Sequence, residues 1–451
     1  MKAKWIFGLS AWMLAVLSSP AAQPYDFGNP SPEEEWMRFC INRARTDPEA
    51  EADRLGLDNT HGDDVPDGAY DVGEGITISG VADQRTYWSR YQGPRQYVAW
   101  SAALNAASRN HCDDMHTYSF FSHYTAGSSH GYPNGSGPDY RGYAEGYPNH
   151  FIGENIATNN SAGSYTAETV HNGLFTEPEV VGRGHRKNLL HSFWREIGAG
   201  RVSRPPNLSG WTDFWTTDFG SDAFYSQVVD PWPPIDTVYV TGTVFDDLDS
   251  DGAYQPGEQM PGVMVRVYDS GGAELQYYAV TADGGGYSVP LLTGAGADVP
   301  AGENVEVLVF DPAGQRYLRA VRAVQDGDVV FEDTAAEVPD TYHQRFNVGL
   351  DVEADQLAQA VGGDANLDGC ADGLDYIIWS NNYQQSDRWW GEGDFDGGGY
   401  VDGLDYIIWS NNYLQGCPAA PGPVPEPTGL LLLTLAGLAL IRRRRYKHHQ
   451  S

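Results

Sequence analysis

Cysteine and positive charge are what this chain has least of. Four cysteines in 451 residues, Cys40, Cys112, Cys370 and Cys417, exclude a scaffold that depends on disulfides. The even count still permits two bridges if the chain is exported, Cys40–Cys112 and Cys370–Cys417; buried free thiols are the other reading of the first pair. Lysine and arginine number 28 against 61 aspartates and glutamates, a formal net charge of −33. Phosphate backbones and anionic lipid surfaces would be repelled, so no nucleic acid is expected as a partner. Divalent cations fit better, because many of the aspartates sit in regularly spaced loops, while much of the remaining charge is solvated surface. No zinc-protease H-E-x-x-H motif occurs. Long apolar runs are missing as well: Thr428 to Ile441 spans fourteen residues, short of the roughly 20 that cross a bilayer comfortably.

What the ends do contain are address labels. Lys2 and Lys4 precede an apolar run from Trp5 to Leu17 and then Ser18-Ser19-Pro20-Ala21-Ala22, the order of a secretory signal peptide over residues 1–21 with cleavage after Ala21. At the other end, over residues 424–445, Val424-Pro425-Glu426-Pro427 leads into the short apolar segment and then Arg442 to Arg445. A simple anchor, its arginines held on the cytoplasmic side, is one reading. The order also resembles the PEP-CTERM sorting signal of Gram-negative bacteria, which implies transient inner-membrane insertion and removal of the tail by a membrane protease.

The length suggests three domains. The first runs over residues 24–230. Ser31-Pro32-Glu33-Glu34 is a capping-box start, and Trp36, Phe39 and Cys40 follow at helical spacing. Asp47-Pro48 opens a second short helix through Leu55, and the glycine-rich acidic stretch Asp58 to about Gly80 reads as loop. Ser101 starts a helix with Leu104, Ala107, His111 and Met115 on one face, where His111 reads as a hydrogen-bonded core residue. His123 comes just past that helix, followed by a loop from Thr125 to His150 too long to be filler. Glu154 stands among apolar residues, and a helix from about Thr166 to Phe175 ends near Glu177. His185 lies between a glycine and two cations, and Glu196–Val202 and Trp211–Phe219 read as strands.

Five motifs in this order carry a resemblance: Asn42-Arg43-Ala44-Arg45 with Asp47-Pro48, Phe121-Ser122-His123, Gly153-Glu154-Asn155-Ile156, Leu174-Phe175-Thr176-Glu177 and Gly184-His185-Arg186. They resemble successive motifs of the CAP superfamily of cysteine-rich secretory proteins, venom antigens and plant pathogenesis-related proteins, the bacterial branch above all. The resemblance implies an α-β-α sandwich with a central cleft lined by His123, Glu154, Glu177 and His185. Leu174-Phe175 departs from the usual Trp-Tyr, which makes Glu177 the weakest match of the four. Two imidazoles and two carboxylates suit Zn²⁺ or another divalent ion; a hydrogen-bonded cluster closing the cleft floor is the alternative.

Past the stiff Pro231-Trp232-Pro233-Pro234 linker, residues 237–352 alternate over Val238–Phe245, Val263–Tyr268, Val305–Phe310 and Val329–Phe331, the pattern of an all-β sandwich. Asp247, Asp249, Asp251 and Glu258 occupy positions 1, 3, 5 and 12 of a calcium loop, with Gly252 at its sharp turn. In a β context this resembles the calcium-bound B-type repeats of bacterial surface adhesins, which act as rigid spacers. A metal-free acidic turn is the alternative.

Residues 363–417 hold a duplication. The twelve residues Asp372 to Tyr383 recur unchanged as Asp402 to Tyr413, thirty positions later, and a calcium-type loop stands ahead of each copy. The first supplies Asp364, Asn366, Asp368, Asp372 and Asp375, with Cys370 offering its carbonyl. The second supplies Asp394, Asp396, Asp402 and Asp405, but Gly398 replaces an acid, so weaker affinity is expected. Paired loop–helix repeats resemble type I dockerins, small helical calcium-loop pairs. That resemblance implies Ca²⁺-dependent folding and a cohesin-like partner engaged through Gly373-Leu374 or Gly403-Leu404; a calcium-stabilised stalk is the alternative. Dockerins often accompany enzymes of polysaccharide catabolism. The reading favoured here is a secreted or cell-surface binding protein. An extracellular hydrolase (peptidase or polysaccharide-degrading) using the His/Glu cleft, and an adhesion or scaffold protein, are the alternatives.

Overall fold

The first helix shows how local chemistry sets this fold. In a computed structural model, which describes residues 22–56, 95–148, 151–160, 165–177, 184–221, 237–293, 297, 299–331 and 340–418, the chain enters through β1 (Gln23–Pro24) and starts α1 (Pro32–Thr46) at Ser31. Ser31 Oγ accepts from Glu34 N while the Glu34 carboxylate accepts from Ser31 N at 2.8 Å, the full capping box. Asp47 caps α2 (Pro48–Arg54). β2 (Ala99–Trp100) leads to Ser101, which caps α3 (Ala102–Thr117). The long stretch read as loop after His123 contains α4 (Pro138–Ala144), opened by Pro138 at its first turn. Then come β3 (Ile152–Asn159), α5 (Ala167–Thr176) capped by Thr166, α6 (Gly184–Leu190), β4 (Glu196–Ser203) and β5 (Asp213–Gly220).

The strands pair in the order β2–β4–β5–β3, with β2 parallel to β4 and the others antiparallel. Strand alternation then assigns the two faces. Gly198 and Gly200 face α3 so closely that a Cβ at Gly198 would lie 2.0 Å from the Leu104 carbonyl carbon. On the opposite face Ile197 and Ala199 join a core with Met37 and Ile41 of α1, Val170 and Phe175 of α5 and Leu189 of α6. Helices thus cover both faces, as the CAP resemblance implied.

The following segment is all-β: β6 (Tyr239–Phe245), β7 (Met264–Tyr268), β8 (Glu274–Val280), β9 (Gly286–Pro290), β10 (Asn304–Asp311), β11 (Arg316–Ala323), β12 (Asp326–Phe331), β13 (Asp340–Arg345), β14 (Val348–Gly349), β15 (Val352–Glu353) and β16 (Ala358–Gln359). One sheet runs β1–β8–β7–β10–β11–β16; β14 and β15 pair with one side of β6 and β9 with the other, while β12 and β13 form a separate hairpin. Val265, Val307 and Val309 from the first sheet and Val240, Tyr287 and Val289 from the second meet in one interior.

That interior continues into the helical part, and the chain through Gln359 is one compact unit. The reason is visible on α1. Sequence spacing suggested a single apolar stripe, yet Glu35 and Arg38 are also fully buried, paired at 2.5 Å. Their outer hydrogen bonds go to the β segment: Thr243 Oγ1 donates to Glu35 at 2.6 Å, and Arg38 donates to Thr241 and Thr243 at 3.2 and 3.1 Å. Trp100 Nε1 donates to the other Glu35 oxygen at 2.6 Å. The residues read separately as a first domain and a spacer therefore share one polar seam and one core.

A second compact unit begins at Ala360. It carries α7 (Gly373–Asn382) and α8 (Gly403–Asn412), capped by Asp372 and Asp402 through Leu374 N and Leu404 N. The two halves exchange equivalent hydrogen bonds: Trp379 Nε1 donates to Asp402 O at 3.0 Å and Trp409 Nε1 to Asp372 O at 2.8 Å. Cys370 and Cys417 form a disulfide. The Cys40–Cys112 bridge that the even count permitted does not form, and both thiols are free and buried, the other reading of that pair. Cys112 sits on α3, its thiol directed at Gly200 O and Thr216 Oγ1, whereas Cys40 belongs to α1 on the other face of the sheet. The proposed signal peptide, the Asp58–Gly80 stretch, the Pro231–Pro234 linker and the tail over residues 424–445 lie outside the described residues. Among those described, no helix is long and apolar enough to cross a membrane.

Candidate functional site

The four side chains singled out in the CAP resemblance form two imidazole–carboxylate pairs. His123 Nδ1 lies 2.8 Å from Glu154 Oε1, and His185 Nδ1 lies 2.5 Å from Glu177 Oε1. In each pair the carboxylate is buried, while the His123 side chain is 47% exposed and that of His185 30%. The carboxylates hold Nδ1, so the Nε2 edges are the ones left for chemistry.

Glu154 owes its place to β3, the edge strand. Its side chain points toward α3, where His111 Nε2 lies 3.9 Å away, and Arg141 of α4 pairs with its second oxygen. Arg141 also donates to the carbonyls of His123 and Ser136 at 3.0 and 2.9 Å, tying the post-helix loop to the same guanidinium. The next residue, Asn155, points the other way and donates to His185 O at 3.1 Å; Asn188 donates to Glu154 O and Asn155 Oδ1. The two pairs are therefore linked around one strand edge. Glu177 ends α5 in a left-handed conformation, φ 35°, and accepts from His185 N, His185 Nδ1 and Arg186 N. Three donors on one buried carboxylate hold a backbone geometry that costs a non-glycine residue about 1–3 kcal/mol. The weakest motif match thus has a firmly anchored carboxylate.

Electrostatics separate the buried groups. Burial would raise the Glu154 carboxyl, but Arg141 and the hydrogen bond from His123 outweigh it and hold it below the usual carboxylate range. Asp218 stands opposite Glu154 in the β3–β5 register; burial, then the Glu154 charge, pushes it well above its ordinary value. Burial lowers His111 to about 4, so it is neutral at physiological pH.

The calcium-type loops differ in how far their acids converge. Donor oxygens of Asp247, Asp249 and Glu258 lie within 4.8 Å of one another, as do those of Asp394, Asp396 and Asp405. Asp251 stays aside, accepting from Ala253 N and Gln255 Nε2. In the loop ahead of α7, Asp364 accepts from Asp368 N and Gly369 N, Asp375 from Ala365 N and Asn366 N, and Asp368 from Asn366 Nδ2 and Cys370 N. Burial and its acidic neighbours raise Asp364 to about 6. Asp372 and Asp402 serve as helix caps. Leu374 and Leu404 are 58% and 57% exposed at equivalent positions, immediately after Gly373 and Gly403.

Sequence reasoning missed Arg141, Asn155, Asn188 and Asp218. The Pro138-Asp139 helix start was the available signal for Arg141; Asn155 stands inside Gly153-Glu154-Asn155-Ile156, and Asn188 follows two residues after Gly184-His185-Arg186. Asp218 carried no signal of its own. A third convergent group, Asp113, Asp114 and His130, was also unforeseen; there Arg204 already pairs with Asp113 at 2.5 Å.

In comparison with known proteins, the model of the cysteine-rich secretory protein family (CAP) matches residues 89–219, an interval that holds all four paired side chains. No curated protein and no solved structure matches the chain.

Proposed function

We propose, from the CAP domain over residues 89–219, that this is an exported ligand-binding protein whose ligand meets the His123–Glu154 and His185–Glu177 pairs. The observation carrying this reading is the anchoring of each imidazole through Nδ1 by a buried carboxylate. Such an arrangement fixes the ring and its tautomer and raises the basicity of Nε2, as metal-binding histidines require. Zn²⁺ or a similar ion would be held by His123 and His185, with Glu154 and Glu177 as orienting groups, and would supply Lewis acidity toward a ligand oxygen. Binding fits better than hydrolysis because, among the described residues, no activated nucleophile accompanies the pairs. Ser122 Oγ accepts from Tyr124 N instead of approaching a base, and burial pushes the Cys40 thiol up to about 12. Zinc content of the purified chain tests the reading. About one equivalent should be lost in a His123→Ala/His185→Ala variant, and an unchanged content would count against it.

A second reading rests on the same geometry, since an imidazole oriented by a carboxylate is also a general base. Profiling on peptides, glycans and lipids decides: turnover by the wild type that vanishes in Glu154→Ala would favour an extracellular hydrolase. With neither metal, ligand nor turnover, an adhesion or scaffold role is left.

The acidic loops support Ca²⁺ as a structural ion. Asp247, Asp249 and Glu258 and, in the duplicated segment, Asp394, Asp396 and Asp405 bring carboxylates together, and among the described residues no arginine or lysine is paired with any of them. The duplicated unit is read as a dockerin-like module that presents Gly373-Leu374 and Gly403-Leu404 to a cohesin-like partner. Export by the N-terminal leader and sorting through the C-terminal tail complete the proposal.

A further inference from the structure

The duplicated unit turns apolar side chains to solvent in two equivalent places. α7 carries Leu374, Tyr376 and Ile377, and α8 carries Leu404, Tyr406 and Ile407, all between 40% and 58% exposed. The Tyr376 and Tyr406 rings stand 6.4 Å apart, so the two triplets meet across the helix pair in one surface. Contiguous exposed apolar surface marks a contact site. The charge around it is of one sign. Residues 363–417 hold ten aspartates and glutamates against a single cation, Arg388, which already pairs with Glu392 at 2.6 Å.

The sequence that follows has the complementary composition. Thr428 to Ile441 contains no charged residue, and Arg442 to Arg445 with Lys447 place five of the chain's 28 lysines and arginines in its last ten positions. Its point of departure lies beside α7. Cys417 is bonded to Cys370, and just before it Leu414 N donates to Ala371 O at 2.7 Å and Ala371 N to Gln415 O at 3.1 Å. Ala371 directly precedes Asp372, the cap of α7. Residues 419–427 separate Pro418 from Thr428. Such a tether reaches at most about 30 Å, twice the roughly 15 Å length of a ten-residue helix.

We propose that the apolar face of α7 and α8 is a docking site for the chain's own segment Thr428–Ile441, with Arg442–Arg445 and Lys447 set against the surrounding acids. The short tether makes the encounter intramolecular, at an effective concentration on the order of millimolar. Docking removes two apolar surfaces from water at once, and the opposite charges favour it further. While docked, the tail closes the face that holds Leu374 and Leu404 to any other partner, and its departure opens that face. The contact follows from composition and tether and does not depend on the dockerin-like reading.

Lys447 is one of only four lysines in the chain, which makes its amine a clean probe. Carbodiimide coupling of that amine to carboxylates, mapped by mass spectrometry on the chain with its tail intact and CaCl₂ present, is the test. Half of the sample is isotope-labelled, so that links within one chain and links between two chains differ in mass. Links within one chain, from Lys447 to the acids of residues 363–417, are expected. They should fall at least about fivefold in Leu431→Asp/Leu433→Asp, which keeps all five tail cations but cannot bury its apolar segment. They should fall likewise in Leu374→Ser/Ile377→Ser, whose side chains are exposed and whose circular dichroism should match the wild type. Links undiminished in the tail variant would show that charge alone attracts the tail, and the apolar docking site would be overturned. Links found only between chains would assign the face to a second copy, and the lack of any link from Lys447 to this unit would place the tail elsewhere; either result overturns the proposal.

Discussion

Two buried acids placed opposite each other on paired strands cannot both carry charge cheaply. The Arg141 guanidinium pairs with Glu154 and reaches Asp218 only through its charge, and Asp218 has Ser108 Oγ as a donor at 2.8 Å. The pair resolves this by dividing its charge: Arg141 and His123 favour the ionised form of Glu154, while burial and the Glu154 charge favour the protonated form of Asp218. The consequences for stability have opposite signs. Glu154, depressed, contributes stability that is present above its unfolded value and lost as pH falls through the folded one. Asp218, raised, contributes stability that is complete below its unfolded value, about 3.9, and lost as pH rises toward its folded value. Asparagine at position 218 cannot ionise and still accepts from Ser108. Asp218→Asn should therefore raise the melting temperature relative to wild type by more at pH 8 than at pH 5. Thermal melts at the two pH values check this, and a difference independent of pH would show that Asp218 is ionised in the fold.

At the scale of elements, much was legible because helix starts are local. Ser31, Asp47, Ser101 and Thr166 each cap a helix, and a cap needs only the next three residues to be recognised. In the β segment β6, β7, β10 and the end of β12 were legible from their alternation, whereas β8, β9 and β11 were not; the two histidine–carboxylate pairs were legible from motif order. The second buried face of α1 was not, because Glu35 and Arg38 read as surface charges until Thr241 and Thr243, some two hundred residues on, supply their partners. Arg141 and Asp218 escaped for the same reason: their roles come from strand register and not from neighbours in sequence. The duplication is the element whose sequence said most, since identical residues must solve the same packing problem twice. Gly363 and Gly393 are its test. Both have positive φ, 85° and 100°, and a Cβ there would lie 2.5 and 2.8 Å from the Cα of Trp409 and Trp379. Gly393→Ala should cost at least about 1–2 kcal/mol from the left-handed backbone alone. Chemical denaturation of the calcium-loaded chain, followed by tryptophan fluorescence, measures it, and an undiminished midpoint would mean that α7 can shift without loss.

For the whole molecule, the seam between α1 and the β segment decides what folds with what. The first strand illustrates the interleaving: β1 precedes every helix yet pairs in parallel with Tyr277 and Tyr278 of β8. A buried ion pair is costly unless its remaining hydrogen bonds are met, and here Glu35 and Arg38 sit in one half while several of their partners sit in the other. Separating the halves would strand both charges, so the chain through Gln359 should open as one cooperative unit. Thr243→Val tests this with little change of shape. It removes the 2.6 Å donor to Glu35 and the 3.1 Å acceptor for Arg38 and leaves two buried charged groups short of partners. The expected loss is about 1–3 kcal/mol. Its distribution is the sharper prediction. Although Thr243 lies in the β segment, the slowest-exchanging amides of α3 and of β10 should lose protection by the same amount, because both report the same global opening. A loss confined to β10 would show two independently folding halves that merely touch; an equal loss makes the β segment part of what holds the CAP domain together.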